Sequence, residues 1–498
     1  MAIAIGVIDI KATRVPIVFP LAAVSTLGIA QLFLGANPLI VFMCVAAITV
    51  TFIPLHIFGR DLYSIFALVF STRYLGVALL AKTFHGQTLE SNLFDPYPTY
   101  ALTLLLMIIE TSVILLARKL DPGTTLFPFP TDLQSLRKLA PIAYSIGFVG
   151  VVIAGRLKPA EGVASAGIVF NLASTLSTLC ALGFIAEASY SIEKSNGRSL
   201  FTPLLIFMFL FILLAVIALN ERGFLLNCLI GIGVVAFIYR ALHFRYIVVG
   251  ILFAAFFSSF LSPLILYLRS QRTMEITQFI ELGQETAIKM IVDPNFRKVV
   301  NDTVQYRSLD DLNEVPPYDY YGNRSNVLNR LSFIGLLDAV YNATKSHNLF
   351  GSEALERSIN MNRPSFLGPK LGVGMGDWMS WQLGMGAPGV ISFLNFGLPM
   401  EGLATWGVIG FITYPFIFML PVLLIFGRIS SFRLATPVSV LMFIALQHSI
   451  FEDTSDGFIG TVLRDAPILL LLLFSLYSIF FRRSSSAASN PIPSSAQR

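Results

Sequence analysis

The sequence predicts an all-α, polytopic membrane protein, and three observations carry that prediction. Of 498 residues, 55% are hydrophobic and only 13% charged, whereas a soluble domain carries about 25% charged residues. The mean hydropathy is +0.74. Apolar runs near the roughly 20 residues that cross a bilayer recur along the chain, and the loops between them alternate between rich and poor in arginine and lysine, as loops on opposite sides of a membrane do.

Taken in order, twelve runs qualify, near 16–34, 37–55, 61–81, 98–117, 139–155, 163–187, 201–219, 223–239, 246–266, 403–427, 434–451 and 464–481. Residues 1–266 thus hold nine expected helices, 267–402 form one long loop, 403–481 hold the last three, and 482–498 are a Ser/Pro-rich tail expected to be disordered. No cleavable signal peptide is expected, because the apolar run behind Lys11 and Arg14 continues without a small-residue cleavage pattern. With the N-terminus inside, most short-loop cations from Arg60 to Arg433 are cytoplasmic, and the short outer loops keep only Lys82, Arg156, Lys158, Arg222 and Arg464. That asymmetry gives both termini inside and puts the long loop, between the ninth and tenth helices, outside. It also accounts for most of the net charge of +5, so no nucleic-acid partner is expected. Cys44, Cys180 and Cys228 all lie in apolar runs, which speaks against a disulfide or a thiolate metal site.

Charges inside spans come first among candidate residues, because they are costly and face a cavity or a partner. Arg73 in the third span and Glu110 in the fourth sit about 12 and 18 Å from their outer ends at about 1.5 Å per residue. Antiparallel neighbours could pair them, or Arg73 could serve as a functional cation. The turn Asn220 to Phe224 is tight enough to hold Arg222 at the mouth of the bundle, with Arg156 and Lys158 closing the fifth span on the same side. Such cations either snorkel to the interface or hold a pyrophosphate, which arginine grips through paired hydrogen bonds. In the long loop, Arg324 and Arg330 precede the amphipathic run LSFIGLLDAVYNA, whose apolar face is edged by Asp338.

Glu401 falls in FGLPMEGLATWGVIG, Phe396 to Gly410, where glycines permit close backbone approach and Pro399 opens a helix. It is the leading general-base candidate. His448, with Glu452, Asp453 and Asp456 at the outer end of the eleventh span, is the second. Trp378 and Trp381 fit either interfacial anchors or platforms for sugar rings. No zinc spacing, phosphate loop or Ser/His/Asp order is present, so neither metal nor cofactor is expected.

A dozen spans with one long outer loop late in the chain, the turn Asn220-Glu221-Arg222-Gly223, the segment NRSNVLNRLSF and the segment LPMEGLATWGVIG together resemble the O-antigen (Wzy-type) polymerase and O-antigen ligase superfamily. Arginine followed by glycine after ten residues, at Arg222 with Gly233 and Arg324 with Gly335, is similar to a pattern of polysaccharide polymerases, though Arg357 with Gly368 matches it as well. Glutamate stands where the family's turn commonly has serine.

The resemblance implies a GT-C-like, metal-independent glycosyltransferase of the bacterial inner membrane. It would join undecaprenyl-diphosphate-linked repeat units at the periplasmic face, with the lipid-linked glycan as both donor and acceptor, and a chain-length regulator and a flippase as candidate partners. Arg222 and Arg324, with Arg73, Arg156, Lys158 and Arg330, would neutralise the departing diphosphate; Glu401, ahead of His448, would deprotonate the acceptor hydroxyl. Ligases of the superfamily usually carry a histidine near the last loop motif, where Glu401 stands here. A ligase, and from another class a lipid-linked oligosaccharide flippase, are the competing readings.

Overall fold

The structure, a computed structural model, describes residues 16–125, 129, 131–157, 168–219, 223–268, 276–301, 319–322, 326–363, 373–389 and 396–481. Among these residues the regular structure is entirely helical. The helices that matter below are α1 (Val18–Phe33), α2 (Pro38–Phe58), α3 (Leu62–Phe84), α4 (Pro96–Leu120), α5 (Leu133–Leu157), α6 (Ile168–Lys194), α7 (Pro203–Leu219), α8 (Gly223–Ile238) and α9 (Phe244–Leu268). After the long connection, which carries α10 (Ile276–Val292), α11 (Asn326–Leu331), α12 (Ile334–Ser346), α13 (Glu353–Asn362) and α14 (Met375–Gln382), come α15 (Gly397–Ser430), α16 (Pro437–Phe451) and α17 (Ser455–Phe480).

Among the described residues, eight helices are long and apolar enough to cross a membrane: α2 to α6, α9, α15 and α17. The chain is therefore a polytopic helical membrane protein. The other four expected spans coincide with shorter apolar helices, α1, α7, α8 and α16. We call the end of the bundle from which the 269–396 connection emerges the loop end.

Close helix packing follows the small residues, as it must where lipid offers no hydrophobic drive between helices. A Cβ at Gly150 of α5 would stand 2.6 Å from the Ser177 nitrogen of α6, and Gly147 and Gly183 are equally tight. At the end opposite the loop, Arg118 pairs with Asp61 at 2.6 Å, the Tyr63 hydroxyl donates to Asp121, and Arg433 donates to the Arg118 carbonyl, tying α3, α4 and the α15–α16 turn together.

The predicted tenth span, 403–427, differs most from what is observed. Its helix starts at Gly397 and breaks at Trp406 (φ −131°) and Gly407 (φ +62°). Residues eight apart in a straight helix stand about 12 Å apart, yet a Cβ on either Gly402 or Gly410 would overlap the other's backbone. The chain therefore reverses at Gly407, the residue type that reaches this φ without strain. The carbonyls of Ala404 and Thr405, orphaned by the break, accept the N–H groups of Phe350 (3.1 Å) and Gly351 (3.0 Å). Thus Glu401 is not at a membrane entry point. It lies in a short arm folded back into the bundle, and that arm joins the two halves of the long connection.

Candidate functional site

Arg73 sits on a π-helical turn, Thr72–Gly76, of the kind that interrupts α-helices at functional positions. Its carbonyl accepts the Phe333 N–H at 2.9 Å, and its guanidinium lies 4.7 Å from the Phe333 ring centroid. The expected pairing with Glu110 is not what forms: Arg73 Nη2 binds Glu452 Oε1 at 2.5 Å. Glu110 is buried on α4, and among the described residues it forms no ion pair. Depth along two helices set both residues at comparable levels, but rotation about each axis aims Arg73 at the α16–α17 turn.

From Arg73 the contacts run on to His448, whose Nδ1 is 3.4 Å from Glu452 Oε2 and whose Nε2 is 3.6 Å from Asp453 Oδ1. Both distances exceed those of a good hydrogen bond, so the imidazole is bracketed by carboxylates rather than locked to one. Its side chain is 55% exposed, against 29% for Glu452 and 19% for Arg73. Burial works to raise Glu452, but its close contact with a protonated His448 and its ion pair with Arg73 outweigh it and hold this carboxyl below its ordinary range. Burial dominates at Asp453 and pushes it up. Only in its neutral form can this half-exposed imidazole accept a proton from a hydroxyl, and the two flanking carboxylates stabilise the charged form that results.

Glu401 is situated differently. It is 0% exposed, and its carboxylate accepts both the backbone N–H and the hydroxyl of Ser455, each at 2.5 Å, at the start of α17. Ser358 of α13 adds a hydroxyl contact to Ser455 at 2.6 Å. Glu401 therefore holds the reversed arm against α17 and α13, and in this conformation it presents no oxygen to a substrate. Of the two base candidates, His448 is the accessible one in this conformation.

Trp378 is also corrected. It is 7% exposed, packed between the Phe350 ring at 4.8 Å and the Arg357 guanidinium at 5.2 Å, so it is a buried prop rather than an open sugar platform. Trp381 is partly exposed one turn further on. Arg357, whose spacing to Gly368 matches the same arginine–glycine pattern, is part-buried; it donates to the Val373 carbonyl at 3.0 Å, and burial lowers its pKa. Arg156 lies exposed at the loop end of α5, and Arg330 is placed on α11. Arg222, Arg324 and Lys158 fall outside the described residues.

The long connection is fastened to the bundle by a buried carboxylate. Asp338 on α12, noted in the sequence only as a polar intrusion, is 1% exposed. It accepts the N–H groups of Phe94 (2.6 Å) and Asp95 (2.9 Å) and the Thr99 hydroxyl (2.7 Å), so it satisfies donors at the N-terminus of α4. Lys345 adds an ion pair to Asp95 at 2.6 Å. A second clasp holds Tyr320 and Tyr321: the Lys82 ammonium, bonded to Ser91, lies 4.1 Å from the Tyr320 ring centroid, and the Tyr320 hydroxyl donates to the Leu89 carbonyl.

Among the described residues no group of three or more His, Cys, Asp or Glu side chains is arranged to hold a metal ion. Comparison with family models, with curated proteins and with solved structures finds no match.

Proposed function

We propose that this protein is a membrane glycosyltransferase that polymerises undecaprenyl-diphosphate-linked oligosaccharide units at the periplasmic face of the bacterial inner membrane. In this reading α1, α7, α8 and α16 complete twelve spans, both termini are cytoplasmic, and the 267–402 segment is a periplasmic roof over a GT-C-like bundle. The observation that carries it is the half-exposed His448, bracketed by Glu452 and Asp453, linked through Glu452 to an arginine from another span, and placed at the loop end of the bundle.

The acceptor hydroxyl oxygen attacks the donor's anomeric carbon as the bond from that carbon to the diphosphate oxygen breaks. The electron pair of that bond leaves with undecaprenyl diphosphate, and the hydroxyl proton passes to the His448 imidazole, held by Glu452 and Asp453. Arg222 and Arg324, with Arg73, Arg156, Lys158 and Arg330 in support, are the cations assigned to the leaving diphosphate. Arg73 reaches that role only by loosening its hold on Glu452.

A ligase reading draws on the same accessible histidine, so the products of the reaction separate the two. Purified protein supplied with a lipid-linked repeat unit, its products resolved by size, decides between them. A ladder is the expected result; transfer only to an added lipid A core makes the protein a ligase, and translocation in vesicles without product makes it a flippase.

A further inference from the structure

A cavity of about 110 Å³ opens between α6 and α8, lined by Ser174, Ser177, Thr178, Ala181, Phe224 and Asn227. Complete small-molecule sites measure roughly 300–1,000 Å³, so this one fits a single residue of a larger ligand. Its place relative to His448 follows from one packing point. A Cβ at Gly231 of α8 would stand 2.7 Å from Ile185 of α6 and 3.0 Å from Ile444 of α16, so the three helices meet there. Four residues toward the loop end from that point are Ala181 on α6, Asn227 on α8 and His448 on α16. Positions four apart share a helix face and differ by about 6 Å along the axis. The inner edge of the cavity, at Ala181 and Asn227, is therefore level with His448, and the rest of it extends toward the loop end.

The lining selects among ligand chemistries. The Ser177 hydroxyl donates to the Ser174 carbonyl at 2.5 Å and the Thr178 hydroxyl to the Thr175 carbonyl at 2.7 Å, so both turn lone pairs outward. Lone pairs repel phosphate oxygens and accept from sugar hydroxyls. Asn227 is a half-buried amide in an otherwise apolar helix; a polar group so placed is available to a ligand or water. Phe224 offers a ring on which the C–H face of a pyranose can pack. Arg222, the expected diphosphate ligand, immediately precedes α8 in the chain.

We propose that this cavity is the subsite for the sugar attached directly to the diphosphate of the donor, holding its anomeric carbon beside His448. The assignment rests on the lipid-linked reading above and is tested apart from it. Full-length protein in phospholipid nanodiscs is titrated with undecaprenyl diphosphate and with the same lipid carrying N-acetylglucosamine or galactose. A glycosylated lipid binds the wild type about tenfold more tightly than the bare one, the scale of one or two hydrogen bonds. Asn227→Ala, which removes atoms, and Ala181→Phe, which fills the space, both bring that ratio close to one and leave the bare lipid's affinity unchanged. Thermal unfolding checks that each variant folds, and Asn227→Ala suffices if the larger side chain does not. Equal affinity of the wild type for bare and glycosylated lipids overturns the subsite, as does a parallel loss of both in the variants. Failure of the wild type to bind any of these lipids overturns the lipid-linked reading, and the subsite with it.

Discussion

Replacing Glu401 separates a structural carboxylate from a catalytic one. In Glu401→Ala, the Ser455 N–H and hydroxyl lose their acceptor inside a site where Glu401 is 0% exposed. An unsatisfied buried donor costs about 1–3 kcal/mol. The hydroxyl can turn to Ser358 at 2.6 Å, but the N–H has no such recourse. With the lost packing of the side chain, the expected destabilisation is about 2–4 kcal/mol. Glu401→Gln keeps an acceptor oxygen for the N–H and offers its amide to the Ser455 hydroxyl, which can then donate to Ser358, so it costs under about 1 kcal/mol. Thermal unfolding of the full-length protein, paired with a chain-extension assay, reads both effects. The alanine variant should unfold early, and the glutamine variant should be stable and extend glycans at close to the wild-type rate. A glutamine variant that folds normally but makes no polymer would refute this reasoning and return the base role to Glu401.

His448→Gln should lower chain extension by about 10²-fold or more while the unfolding temperature stays near wild type, as expected for loss of a general base; unimpaired extension removes His448 from the chemistry. For Glu452, the folded carboxyl is held below its ordinary value of 4.5, so the stability it contributes is present above that value and lost as pH falls through the lower folded one. Asp453, raised by burial, contributes in the opposite sense and favours folding as pH falls. Acid titration of unfolding should therefore show a destabilising limb below about pH 4.5 that Glu452→Gln flattens; an unchanged limb in that variant would show that the Arg73 pairing adds nothing. Asp338→Ala leaves three donors without an acceptor and should cost about 3–5 kcal/mol, with protease cleavage appearing between residues 319 and 346; a protected connection would mean that α12 is held by other contacts.

Hydrophobicity alone located the long apolar helices, because crossing a bilayer depends on apolar content summed over a local run, and local sums can be read along the chain. The acidic cluster with His448 was legible for a similar reason, since its members lie within one turn and one connection of each other. The partner of Arg73 was not, because it is 379 residues away and is chosen by the rotation of two helices about their axes, which span hydrophobicity leaves undetermined. Nor was the reversal at Gly407, because a run of apolar residues reads the same whether it passes straight through or folds back. That fold turned Glu401 inward and left His448 open. The residue types in the candidate site were thus set by sequence, while which of them face each other, and which face a substrate, was set by packing, where close helix contact and the cost of leaving buried polar groups unpaired leave few arrangements.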